Sequence, residues 1–182
     1  RHFYTDDVAA APEMVAAIDA AVTKMGELGA KVREVRTTPL PQFAACNRII
    51  LAAEAYAIHQ KWLRERPQDY GSITRERFFY GAMVSAAEYI NATRLRARLT
   101  AEFHALFDDV DVIVTASAHD PACRIDDPEA CEYTYGRQAR APFNITGSPA
   151  MAIPVGFSSQ GLPLGLQIVA APYREALEYR VG

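Results

Sequence analysis

The sequence is poor in the features that build a stapled, fibrous or membrane-spanning chain. Only three cysteines occur, Cys46, Cys123 and Cys131. Their number is odd and their spacing wide, which argues against a disulfide framework and points to a reducing cytoplasm. Ten Gly and eleven Pro in 182 residues are too few for a fibrous or low-complexity chain. No apolar run approaches the ~20 residues that span a bilayer, and no signal peptide is visible. Charge of neither sign dominates, since 19 Lys and Arg against 22 Asp and Glu leave a formal −3. An isoelectric point near 5.8 gives no global attraction to nucleic acid or to an anionic membrane. Neither Gly-x-Gly-x-x-Gly nor Gly-Lys-Ser/Thr occurs, so nucleotide binding of the common kinds has no support. What is present is globular in character: 50% hydrophobic and 23% charged residues, too apolar for a disordered chain.

The length suits one domain. The chain opens on Arg1 rather than Met, and Leu177 to Gly182 reads like an amphipathic segment cut short. Both ends are expected to be cuts in a longer polypeptide. Residues 12 to 28 predict a helix, with Pro12 in its first turn and Met14, Ile18, Val22, Met25 and Leu28 on one stripe. Gly29 suits the position after it. Residues 30 to 35, with Val32 and Val35 among charges, read as a weak strand. A long helix is predicted over 41–66, ending before Pro67, and a loop over 67–72. Two more helices follow, at about 74–84 and 86–107. Ser85 and Glu88 form a capping-box pattern at the start of the second, which carries Ala92, Leu95, Leu99, Phe103 and Leu106 on one face. Val110 to Thr115 is a β-branched strand. Residues 116 to 141 have no clear period and read as a long polar loop, a kind that is usually functional or packed on something absent. Residues 150–155 and 164–170 predict a hairpin, with Pro154 near a strand end or a sheet edge.

Most of the reactive side chains have ordinary readings. His119 lies four residues before Cys123, and Cys131 lies eight beyond, but this is no known zinc spacing. A polar surface loop is the better reading, and a Cys–His nucleophile pair has the same weakness. Gly156 to Gly161 lacks the Gly-x-Ser-x-Gly spacing of a nucleophile elbow and precedes a strand, so it reads as a hairpin turn. Arg94, Arg96 and Arg98 spread around a helix and read as a solvated face. Arg75 and Arg77, next to Phe78, Phe79 and Tyr80, read as exposed or ion-paired helix residues. The alternative is a guanidinium holding a carboxylate or carbonyl.

From Arg140 to Pro172 the chain carries Pro-Phe-Asn-Ile-Thr-Gly-Ser-Pro-Ala and then Gly-Leu-Pro-Leu-Gly-Leu-Gln-Ile-Val. This closely resembles the C-terminal part of amidase signature family enzymes, in which the first run leads into a strand and the second forms a hairpin arm. Val110 to Thr115, Arg77 to Gly81, Ser85 to Tyr89 and Glu27 to Val32 resemble the family as well, so the likeness covers nearly the whole chain.

The resemblance implies an amide hydrolase with a Ser–cis-Ser–Lys triad, in which Lys acts as base through a bridging Ser and the second Ser attacks the amide carbon. In the family, these residues lie in a Lys-containing segment and a Gly/Ser-rich segment of the N-terminal half. Neither occurs here, where the lysines are Lys24, Lys31 and Lys61. The chain is therefore expected to be a single partial domain, residues 1–182. It would have no catalytic residue of its own, no metal, no cofactor and no hydrolase activity alone. Its fold is expected to be α/β, a mixed sheet surrounded by helices.

By position in the family pattern, Arg77, Tyr80, Thr115, Ser117, Arg137 and Asn144 are the candidate substrate-lining residues. Asn144 has a second reading, as a pin for the turn from Phe143 to Pro149. In glutamine-using members an Asp that holds the substrate ammonium sits seven residues before this Asn. Arg137 in its place would disfavour an ammonium and tolerate an anion. The expected partners are a small-molecule amide, met together with the missing N-terminal half, and a second copy of the chain. The sheet edge and apolar face left uncovered would favour a homo-oligomer. No nucleic acid or membrane is expected. Two further readings are a non-catalytic, partner-binding module derived from the same fold, and an enzyme working through Cys123 and His119.

Overall fold

Helix caps and apolar spacing account for most of the secondary structure in the computed structural model, which describes residues 1–182. Helix α1 (Pro12–Glu27) begins on its proline and buries Met14 and Ile18. Val22 and Met25 are half-buried, but Leu28 lies past the helix end and is 77% exposed. Gly29 adopts a φ of 102°, which turns the chain away there. Helix α2 (Leu40–Glu65) is followed by Pro67, as the sequence predicts. Helix α3 (Ser72–Tyr80) runs into a 3₁₀ turn, Gly81–Met83. Helix α4 (Ala86–His104) has the capping box: Ser85 Oγ accepts from Glu88 N–H, and Glu88 accepts from Ser85 N–H at 2.8 Å.

Two expectations fail. Residues 30 to 35 form no strand. No neighbouring strand pairs with them, and Val32 is exposed. Arg33 and the adjacent Arg36 form ion pairs instead, Arg33 to Asp109 at 3.0 Å and Arg36 to Asp6 at 3.1 Å. The stretch from 116 to 141 is not all loop, since it contains helix α5 (Pro128–Gly136). Asp127 caps α5 by accepting from Ala130 N–H at 3.0 Å, and Pro128 opens its first turn.

Three strands, β1 (Val112–Ala116), β2 (Ala150–Phe157) and β3 (Pro163–Ala170), pair in the order β1-β3-β2 and are antiparallel throughout. The class is α/β with helices dominant, and within this chain the sheet contains no parallel pair. Pro154 lies in β2, an edge strand, beside an irregularity of register. Helix α6 (Ala141–Thr146) precedes β2, and α7 (Glu175–Val181) follows β3.

Alternation places Leu164, Leu166 and Ile168 on one face of β3, where α1 and α7 pack against the sheet. On the opposite face, β2 leaves Ala150, Ala152 and Pro154 exposed. The helical side is held by edge-to-face aromatics. Phe43 meets Phe103 at 6.2 Å, and Phe103 meets Phe143 at 5.9 Å, which joins α2, α4 and α6. Arg96 is exposed, as a solvated face requires, and its Nε also donates to Ile145 O at 2.9 Å, which ties α4 to α6.

Candidate functional site

The site begins where β1 stops. Beyond Ala116 the chain leaves the sheet and forms a short antiparallel ribbon with the segment that follows α5. Ala139 N–H donates to Ser117 O at 3.2 Å, and His119 N–H donates to Arg137 O at 3.1 Å. Ala118 bridges Gln138 between them. This ribbon returns Arg137 to Asp120. Arg137 Nε lies 2.5 Å from Asp120 Oδ2, and Nη2 lies 3.2 Å from Oδ1. The carboxylate raises the guanidinium still further above its ordinary value.

The N-terminal segment is fastened to the same place. Arg137 Nη2 donates to Ala9 O at 2.7 Å, and Ala11 N–H donates to His119 O at 2.7 Å. His119 is fully buried, with Nδ1 2.6 Å from Arg137 O and Nε2 2.9 Å from Phe3 O. Both ring nitrogens therefore face carbonyls. The Cys123–His119 reading falls on this geometry, because both ring nitrogens are taken up facing backbone carbonyls and neither is left for a thiol. Cys123 Sγ faces Cys131 Sγ instead, at 3.6 Å. No three His, Cys, Asp or Glu side chains come together as a metal-binding group.

Against this ribbon lies a cavity of about 350 Å³, lined by Met14 of α1, residues 117–118 and 120–123, Thr134 and Gln138, and Pro163 and Gly165 of β3. A second depression, of about 520 Å³, runs along one face of α2 from Ala57 to Glu65 and brings in no other element. The chemistry converges on the first. Ser117, Thr134 and Gln138 offer uncharged hydrogen-bonding groups, and the carboxylate of Asp120 is held by Arg137. None of the lysines lines the cavity. The arrangement can bind and orient a polar group, but it holds no free base to activate Ser117.

The sequence-predicted residues divide. Ser117 lines the cavity, and Arg137 stands beside it through Asp120. Thr115 lies two residues deeper in β1, is 3% exposed, and its Oγ1 has no hydrogen-bond partner within the protein. It pairs across the sheet with Gln167, whose Oε1 is buried without a partner as well. Arg77 is ion-paired, with Nη2 3.1 Å from Glu132, and its guanidinium lies 4.1 Å from the ring centre of Tyr135. It thereby joins α3 to α5, the helix that carries Thr134. Tyr80 is 44% exposed on α3 and does not line the cavity. Asn144 is exposed on α6, and its side chain makes no hydrogen bond to the turn that follows. That turn is held by Thr146 Oγ1 and Ser148 Oγ, 2.9 Å apart, and by Gly147 at a φ of 68°.

Sequence reasoning missed Asp120, Thr134 and Gln138. The Asp-Pro-Glu start of α5 was the one available signal that residues 128–136 are ordered and can present side chains.

Comparison with known proteins places this arrangement. Residues 3–177 match the family described as Amidase, and the chain belongs to that family. An amidase from Pseudomonas putida is 31% identical over 160 residues, which is 83% of this chain and 34% of that protein. A glutamyl-tRNA(Gln) amidotransferase subunit from Geobacter sp. (strain M21) is 28% identical over 192 residues, 90% of this chain and 39% of that protein. Among solved structures, a chain from an inhibitor-bound vestigial protein complex, described as revealing the evolutionary origins of an s-triazine catabolic enzyme, superposes with a TM-score of 0.80 at 28% identity, covering 95% of this chain and 39% of that one. The chain thus spans between a third and two-fifths of the length of these relatives, and the likeness falls on their C-terminal part. No helix is long and apolar enough to cross a membrane.

Proposed function

We propose that this chain forms the substrate-lining part of an amide-hydrolysing enzyme and does not cleave amides by itself. The observation that carries the proposal is the cavity at the end of β1, where uncharged donors and acceptors surround a carboxylate already met by Arg137. A neutral carboxamide fits such a lining. A substrate ammonium finds no free carboxylate there, and a substrate carboxylate finds no free cation. This favours a hydrolase of simple amides over a glutamine-using amidotransferase. The Lys and Gly/Ser-rich segments that the family chemistry needs do not occur among these 182 residues, and the proposal treats residues 1–182 as one part of a larger domain.

Two assays test this. The purified chain is expected to release no ammonia from a panel of primary amides above a buffer blank, and release would overturn the claim of inactivity. In the longer protein, Ser117→Ala and Gln138→Leu are expected to raise KM more than they lower kcat. Preference for glutamine over neutral amides would sink the substrate assignment. The exposed edge of β2 and its Ala150–Pro154 face support association with the rest of the protein or with a second copy. Light scattering of the isolated chain is expected to give a dimer mass.

A further inference from the structure

We propose that Cys123 and Cys131 form an oxidisable dithiol, a reversible modification site in the wall of the cavity. The two thiols come from different elements. Cys123 sits on the loop that leaves the ribbon and lines the cavity, and Cys131 sits on α5. Their sulfurs are 3.6 Å apart, and closure to a disulfide needs a movement of about 1.5 Å. Both residues are partly exposed, so a small oxidant reaches them.

Nothing competes strongly for either sulfur. Cys123 Sγ has Thr134 Oγ1 at 3.3 Å, and Cys131 Sγ faces Arg124 O at 3.3 Å, both weak thiol contacts that a disulfide can replace. The third thiol offers a contrast. Cys46 is buried in α2 and donates to Ala92 O at 3.3 Å.

The oxidant is a hydroperoxide, hydrogen peroxide in the simplest case. One thiolate attacks the peroxide, forming an S–O bond and releasing water, and becomes a sulfenic acid. The second thiol then displaces that hydroxyl as another water and forms the S–S bond. Two electrons pass from the sulfurs to the peroxide, and a dithiol reductant returns them. The bond ties the loop carrying Asp120 to the helix carrying Thr134, so oxidation fixes two walls of the cavity against each other. The sulfur chemistry does not depend on what the cavity binds.

The test uses the whole chain. It is treated with a moderate excess of hydrogen peroxide, alkylated, and measured by denaturing intact-mass and peptide mass spectrometry. The expected product is a single chain that takes up one alkyl group, on Cys46 after unfolding, and is otherwise lighter by two hydrogens, with a Cys123–Cys131 cross-linked peptide. Dithiothreitol added before alkylation is expected to return a chain that takes up three alkyl groups. Cys131→Ser is expected to lose the cross-link and accumulate oxygen adducts on Cys123. Independent oxygen adducts on both cysteines of the unmutated chain, disulfides that join two chains, or unreacted thiols would each overturn the proposal.

Discussion

Arg137 grips Asp120 through Nε and Nη2 across 17 residues of sequence, and the same guanidinium reaches Ala9 O at 2.7 Å. One side chain thus joins the loop after β1, the end of α5 and the N-terminal segment. Both partners are about four-fifths buried, so losing one leaves the other poorly solvated. Arg137→Ala is expected to cost about 2–3 kcal/mol in urea unfolding. The double variant with Asp120→Ala should cost less than the two single losses added together, because no charge is then left alone. Additive losses would show that the pair is not coupled.

Thr115 presents the opposite case, a buried hydroxyl that the folded chain leaves without a partner. Thr115→Val keeps the shape and removes the group. The variant is expected to be more stable by about 1 kcal/mol, since an unpartnered hydroxyl carries a desolvation penalty. Reduced turnover of amides by the longer protein, together with that gain, would assign the hydroxyl to substrate handling. A loss of stability would reveal a hydrogen bond that the folded chain does make.

Gly81 sits where the 3₁₀ turn after α3 crosses α2. A β-carbon added there would collide with the carbonyl oxygen of Ala52 and lie 2.6 Å from Tyr56 Cβ. Gly81→Ala must push backbone apart and is expected to cost about 2 kcal/mol or more. Thermal unfolding measures this, and an unchanged melting temperature would show that α2 and α3 do not approach so closely.

Glu178 of α7 is 4% exposed and accepts from Ala170 N–H at 3.0 Å. Burial raises its carboxyl above the ordinary value, the charge of Glu175 adds to the rise, and the Ala170 N–H opposes it. The folded chain therefore holds this proton more tightly than the unfolded chain does. Its contribution to stability falls as pH rises from the unfolded carboxyl value, about 4.3, through the raised folded one. Glu178→Gln keeps an acceptor for Ala170 and abolishes the ionisation. The variant is expected to melt higher than the natural chain at pH 7, with the difference shrinking toward pH 4. An equal difference at both pH values would contradict the sign.

Local signals in the sequence were enough for α1, α2 and α4. Pro12, the Ser85–Glu88 box and Pro67 each act within one turn of the residues they control. The same local reasoning misplaced residues 30 to 35, because a strand exists only if another strand stands beside it. It overlooked α5, because nine residues with a weak apolar period are carried by a cap and by contacts from elsewhere, such as Arg77 with Glu132 and Tyr135. Ser117 was legible from its place after the β1 run, whereas Asp120 was not, because its role depends on a partner 17 residues away.

The sequence by itself determined α1, α2 and α4, where the hairpin turns, and which family the Pro-Phe-Asn and Gly-Leu-Gln runs belong to. These follow from propensities, caps and spacings that operate over a few residues. Only the tertiary structure decided that Arg137 is neutralised, that His119 bridges Phe3 and Arg137 in place of serving a thiol, and that Cys123 meets Cys131. Charge pairing, burial and sulfur contact are properties of distance in space, and the ribbon between residues 117–119 and 137–139 sets those distances.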